Sequence, residues 1–154
     1  MKARIALLTL ALCFVVIAPC FAQAPQLGTW KLNEVKSKSP SGFPKNTNVV
    51  YEAVGDKVKV TTDGTGPDGA SIHTEWTGKF DGKDYPLTGD PTSDSRSYKL
   101  VNDNMLTMEN KKGGKAVFSG RIVVSPDGKT RTLTATTHDA AGKKVSGVSA
   151  YDKQ

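Results

Sequence analysis

The stretch Ile72-His73-Thr74-Glu75-Trp76-Thr77-Gly78-Lys79-Phe80, IHTEWTGKF, alternates along its whole length. Successive side chains of a β-strand point to opposite faces. Ile72, Thr74, Trp76, Gly78 and Phe80 therefore share one face, and His73, Glu75, Thr77 and Lys79 share the other. The first set suits a protein interior and the second suits water. This period of two predicts a strand buried on one side only.

The same pattern recurs in both directions along the chain. Lys57-Val58-Lys59-Val60 turns its valines inward and its lysines to solvent. Ala116, Phe118, Gly120, Ile122 and Val124 form a second inward row, and Arg131 shares parity with Leu133 and Ala135. Between the runs lie turn signals: Gly55-Asp56, Gly66-Pro67-Asp68-Gly69, Asp81-Gly82, Asn102-Asp103, Gly113-Gly114, Pro126-Asp127-Gly128 and Ala141-Gly142. Glycine reaches positive φ without steric cost, and Asp or Asn tolerates it, so these positions close hairpins. No helical period of any length follows residue 22. Turn signals about 10 to 15 residues apart predict an all-β chain of sequential antiparallel hairpins. Closure into an up-and-down β-barrel of about 8–10 strands would remove exposed edges. Two stretches break the alternation. Residues 34–46, EVKSKSPSGFPKN, read as a loop over one barrel end, and residues 84–94, DYPLTGDPTSD, read as an edge segment with a bend.

The first 22 residues carry Lys2 and Arg4 ahead of an apolar run from Ile5 to Ile17, the outline of a secretory signal peptide rather than a membrane span. Cleavage after Ala22 is expected in preference to Ala24, which would leave Pro25 at the new N-terminus; lipidation at Cys20 is the lesser alternative. The expected product is residues 23–154, one monomeric domain, secreted or periplasmic, with no transmembrane span. Both cysteines, Cys13 and Cys20, fall in the leader, so the barrel is expected to hold together by burial alone. The formal charge of +6 is spread over many turns rather than clustered. Such a surface favours solubility, and with no aromatic-basic motif nucleic acid is not an expected partner.

Several stretches together resemble a known group. Gly28-Thr29-Trp30 opens GTWKLN (28–33), followed by KSKSPSG (36–42), DGKDYPLTGDP (81–91), SPDGKT (125–130) and AYDKQ (150–154). The chain resembles the calycin-type barrels, lipocalins and fatty-acid-binding proteins, and more closely a set of small exported bacterial lipocalin-like proteins. The resemblance implies that Gly28 and Trp30 plug the closed end of a barrel, with Arg131 stacked on the tryptophan. It also implies a small apolar or amphipathic ligand. The departures are local: residues 34–46 cannot form the helix pair that fatty-acid-binding proteins place between their first strands. The chain also ends Ser149-Ala150-Tyr151, without those proteins' late Arg-x-Tyr.

An Arg-x-Tyr does occur at Arg96-Ser97-Tyr98, in mid-chain. On a strand Arg96, Tyr98 and Leu100 face one way. Were that face the lumen, guanidinium and phenol would jointly hold an anion; the expected arrangement is the blander one, a solvated arginine beside a half-buried tyrosine at a rim. The ligand-lining candidates are Trp76, Phe80, Arg96, Tyr98 and Phe118. The same aromatics could equally pack into a filled core, and the sequence leaves this open. His73, Glu75 and His138 are too few and too wet for a metal site, and the aspartates 81, 84, 90 and 94 lack calcium-loop spacing. With no nucleophile elbow, Walker loop or dinucleotide fingerprint, neither an enzyme nor a cofactor is expected. The expected function is non-catalytic binding or carriage of a small, partly apolar molecule in the lumen. The alternative is a packed barrel whose loops bind a partner protein or an envelope component.

Overall fold

The structure is a computed structural model that describes residues 24–139 and 141–154. The leader, its cleavage site and Cys20 lie outside the described residues. Ten strands follow one another: β1 (Gly28–Lys38), β2 (Lys45–Val54), β3 (Lys57–Thr65), β4 (Ser71–Gly78) and β5 (Tyr85–Thr88). They continue as β6 (Ser95–Asn102), β7 (Met105–Lys112), β8 (Lys115–Val124), β9 (Thr130–His138) and β10 (Lys144–Lys153). Each pairs antiparallel with its neighbours in sequence, and β1 pairs with both β2 and β10, closing the barrel. The seam is registered by Trp30 opposite Val49 on one side and Lys153 on the other. Among the described residues no helix is long and apolar enough to cross a membrane.

An up-and-down order places the connections alternately at the two ends. The chain enters at Gly28 and leaves at Lys153 at one end, which also holds the turns after β2, β4, β6 and β8. The opposite end carries the loops 39–44, 66–70, 89–94 and 113–114, and the described residues 139 and 141–143 between β9 and β10. The first end is closed. Trp30, Val58, Val60, Trp76, Leu106 and Val124 fill it, none more than 1% exposed. Trp30 Nε1 donates to the Gln26 carbonyl at 2.9 Å, which ties the preceding segment under the barrel. Gly28 has φ +116°, and a Cβ there would meet the Lys153 side chain at 2.8 Å. A side chain at this entry point would be strained and crowded together.

Both irregular stretches differ from their sequence reading. Residues 34–38 belong to β1, which continues past a register shift between Asn33 and Lys38. Ser37 bridges the gap, its Oγ donating to the Asn33 carbonyl at 2.7 Å and accepting from Ala150 N–H at 3.0 Å. A bulge of this kind breaks the period of two while the strand goes on. Residues 85–88 are no edge: β5 lies between β4 and β6, joined by two registered pairs on each side. Its shortness makes it the thinnest seam of the wall.

Candidate functional site

The half of the barrel nearer the loops is hollow. A cavity of about 290 Å³ opens there, walled at the mouth by Phe43, Pro67, Asp90 and His138 and reaching inward to Tyr51 and Arg131. This lies at the small end of ligand-site volumes, about 300–1,000 Å³. Phe43 projects from the 39–44 loop into the mouth, 7% exposed, with its ring 5.9 Å from that of Phe118. Gly147 makes the room: a Cβ there would sit 3.1–3.2 Å from the Phe43 ring.

The inner part is polar and positively charged. Arg131, 2% exposed, has its guanidinium 4.5 Å from the Tyr151 ring, 5.2 Å from Tyr51 and 5.4 Å from Trp30. Three aromatic faces thus hold the cation. Its Nε and Nη1 are buried and lack a hydrogen-bond partner. Arg96 stands on the wall from β6 and is 6% exposed. Its Nε donates to Asn110 Oδ1 at 2.7 Å and its Nη1 to Tyr98 Oη at 3.3 Å. Tyr51 donates to the same Tyr98 oxygen at 3.4 Å, linking the neighbourhoods of the two arginines. Among the described residues neither arginine forms an ion pair with Asp or Glu. Every ion pair there joins partners on the outer surface or at the rims.

Burial sets the protonation of the phenols. It pushes the Tyr51 hydroxyl far above its ordinary value, and the neighbouring Tyr98 adds to the rise, against an opposing pull from Arg131 and Arg96. Tyr151 is raised by burial too, with Arg131 opposing. Both phenols are therefore neutral hydroxyls; Tyr51 lines the cavity, whereas Tyr151 packs beneath it against Arg131.

The expected lining residues divide by depth. Arg96, Tyr98 and Phe118 line the cavity. Trp76 and Phe80 share the inner face but pack beneath it: the Trp76 ring lies 4.8 Å from Tyr98 and 6.4 Å from Phe80, and its Nε1 donates to the Arg96 carbonyl at 2.8 Å. They form floor rather than wall. Arg96 is not the solvated rim arginine expected, because β6 runs from the mouth inward and its first inward residue is already inside. Leu100 has the parity of Tyr98 yet is 47% exposed, being where β6 reaches the closed end. Phe43, Asn110 and Ser149 also line the cavity without a sequence expectation, as does Ile72, which its parity places inward. Of these, Phe43 carried a readable signal, an aromatic between Pro40 and Pro44 in a polar loop. His73 is exposed on the outer face, with Nδ1 2.6 Å from Asp63 Oδ1. Among the described residues no group of three or more His, Cys, Asp or Glu could hold a metal ion.

No protein-family model matches the sequence, and no curated protein matches it. Solved structures do. EF1p2_mFAP2b bound to DFHBI is 11% identical, covering 84% of this chain and 94% of its own, with a TM-score of 0.49. A redesigned beta barrel, mFAP1, bound to DFHBI, is 16% identical over 85% of this chain and 98% of its own, with a TM-score of 0.41.

Proposed function

We propose that this protein is a lipocalin-like binder or carrier, working outside the cytoplasm, that holds a small, partly apolar anion in its lumen without transforming it. One observation carries the reading. Two arginines, 2% and 6% exposed, border one lumen with no acidic partner among the described residues, and Arg131 Nε and Nη1 have no hydrogen-bond partner there. A buried charge without a partner costs several kcal/mol, so a fold that keeps two of them gains most when an anion joins them. A carboxylate is the simplest such group, since it accepts the forked donors of a guanidinium side by side. The apolar share of the ligand falls to Phe43, Ile72, Met108 and Phe118 nearer the mouth.

The packed-barrel alternative expects a filled interior. Half of the barrel meets that expectation and half does not: Arg96 stands in the wall of the hollow half, and Arg131 borders it from the filled end, beside Trp30 and opposite Val124. Export is inferred from the leader, and carriage from a lumen of donors and apolar walls. Native mass spectrometry of protein purified from its own host's envelope fraction tests the reading. A reproducible extra mass that leaves in Arg96→Ala supports it. A bare protein that also takes up no added octanoate contradicts it.

A further inference from the structure

Some polar side chains of the lumen wall are already engaged within the protein. Thr137 Oγ1 donates to the Val117 carbonyl at 2.9 Å, and Asn110 Oδ1 accepts from Arg96 Nε at 2.7 Å. Two others are not. Thr74 on β4 and Ser93 in the 89–94 loop also line the cavity, each 2% exposed. Neither Thr74 Oγ1 nor Ser93 Oγ has a hydrogen-bond partner among the described residues. A hydroxyl taken from water without a new partner costs stability, and valine or alanine would fill either position without that cost.

Both hydroxyls stand on one side of the lumen. β5 ends at Thr88, so toward the mouth the 89–94 loop takes its place between β4 and β6. The loop is pressed onto β4: a Cβ on Gly89 would lie 3.2 Å from the Thr74 Cα and would collide with the His73 carbonyl. Its far side is tied to the sheet, because Asp94 N–H donates to the Lys111 carbonyl at 2.9 Å and Leu87 N–H to the Asp94 carbonyl at 3.0 Å. Asp90 Oδ1 fixes the tip by accepting from Thr92 N–H at 2.8 Å. A fixed loop therefore holds Ser93 inward beside the strand of Thr74.

We infer that Thr74 and Ser93 form a second polar subsite in the lumen, which takes a hydroxyl or carbonyl oxygen that the ligand carries besides its acidic group. The ligand class narrows from a plain carboxylate to an oxygenated acid, a hydroxy or keto acid. This rests on the anion-binding reading above. Each side chain turns about a single χ1 bond, so either hydroxyl can swing to a ligand oxygen without movement of the backbone. A hydroxyl donates as well as accepts, so the pair suits a ligand hydroxyl in either sense and donates to a carbonyl.

The test is calorimetric titration of the mature protein with octanoate, 3-hydroxyoctanoate, 5-hydroxyoctanoate and 8-hydroxyoctanoate. It is repeated in the double variant Thr74→Val, Ser93→Ala, which removes both hydroxyls at nearly constant shape. The best placed of the hydroxy acids is expected to bind at least about tenfold tighter than octanoate, because its hydroxyl gives a partner to groups that had none. In the double variant that advantage is expected to vanish while octanoate keeps its affinity. Should the double variant fail to fold, Ser93→Ala alone is expected to lower the advantage at least about threefold. Hydroxy acids that bind no tighter than octanoate, or an advantage that survives the loss of both hydroxyls, would overturn the inference and leave the anion site standing. No binding of any of the four would overturn both.

Discussion

Replacing Arg131 by methionine separates a receptor from a pillar. The guanidinium lies 4.5, 5.2 and 5.4 Å from the rings of Tyr151, Tyr51 and Trp30. At about 0.5–2 kcal/mol per cation–π contact, losing all three costs about 1.5–6 kcal/mol. Two effects oppose that loss. An uncompensated buried charge is removed, worth several kcal/mol, and the two orphaned N–H groups disappear, worth about 1–3 kcal/mol each. Methionine also fills most of the space left behind. In urea unfolding without ligand, the variant is therefore expected within about 1 kcal/mol of wild type, or above it. Ligand reverses the order. Octanoate at about a hundred times its Kd stabilises the wild type by about 2.7 kcal/mol. A hundredfold loss of affinity, the scale of one charged contact, leaves the variant about 0.4 kcal/mol at the same concentration. If Arg131→Met lost more than about 3 kcal/mol without ligand and still bound octanoate normally, the arginine would be a structural pillar and the reasoning would fail.

Other substitutions probe the frame around it. Trp30 is fully buried at the closed end, and Trp30→Ala is expected to cost about 3–5 kcal/mol in denaturant unfolding; an unchanged midpoint would remove its role as the plug. Gly147→Ala forces the Phe43 ring to move from a Cβ 3.1–3.2 Å away, with an expected cost of about 1–2 kcal/mol by the same assay. Tyr51 is held protonated by burial above its ordinary value. Unfolded tyrosine ionises near pH 10, so this stabilisation is complete below about pH 10 and is lost as pH rises beyond it. Tyr51→Phe should flatten the alkaline fall in stability, and an unaltered slope above pH 10 would argue against the burial.

Alternation made the faces legible, because it follows directly from strand geometry. Val58, Val60, Leu133 and Ala135 point inward as their parity requires, and Arg131 goes with them. Height along the barrel was not legible. Trp76 and Arg96 both face in, yet one is floor and the other wall, since depth depends on where each strand enters and how far its neighbours are shifted. Local sequence also says little about closure. The short run from Tyr85 to Thr88 looks like an edge because of Pro86, and only the meeting of β1 with β10 makes it an interior strand. Nor does parity report an absent counter-charge. That Arg96 and Arg131 lack an acidic partner among the described residues follows from the carboxylates there standing on the outer face or at the rims, a property of the whole arrangement.

In the proposed function the lumen recognises a negative charge and not merely an apolar shape. Titration of the same protein with octanoate and with 1-octanol, which share a chain and differ in the charge of the head, tests this most directly. Octanoate is expected to bind saturably and to weaken only modestly with added salt, as befits a buried site. Octanol is expected to bind at least about tenfold more weakly, the scale of one charged hydrogen bond. Equal affinity for the alcohol and the carboxylate would contradict recognition of charge.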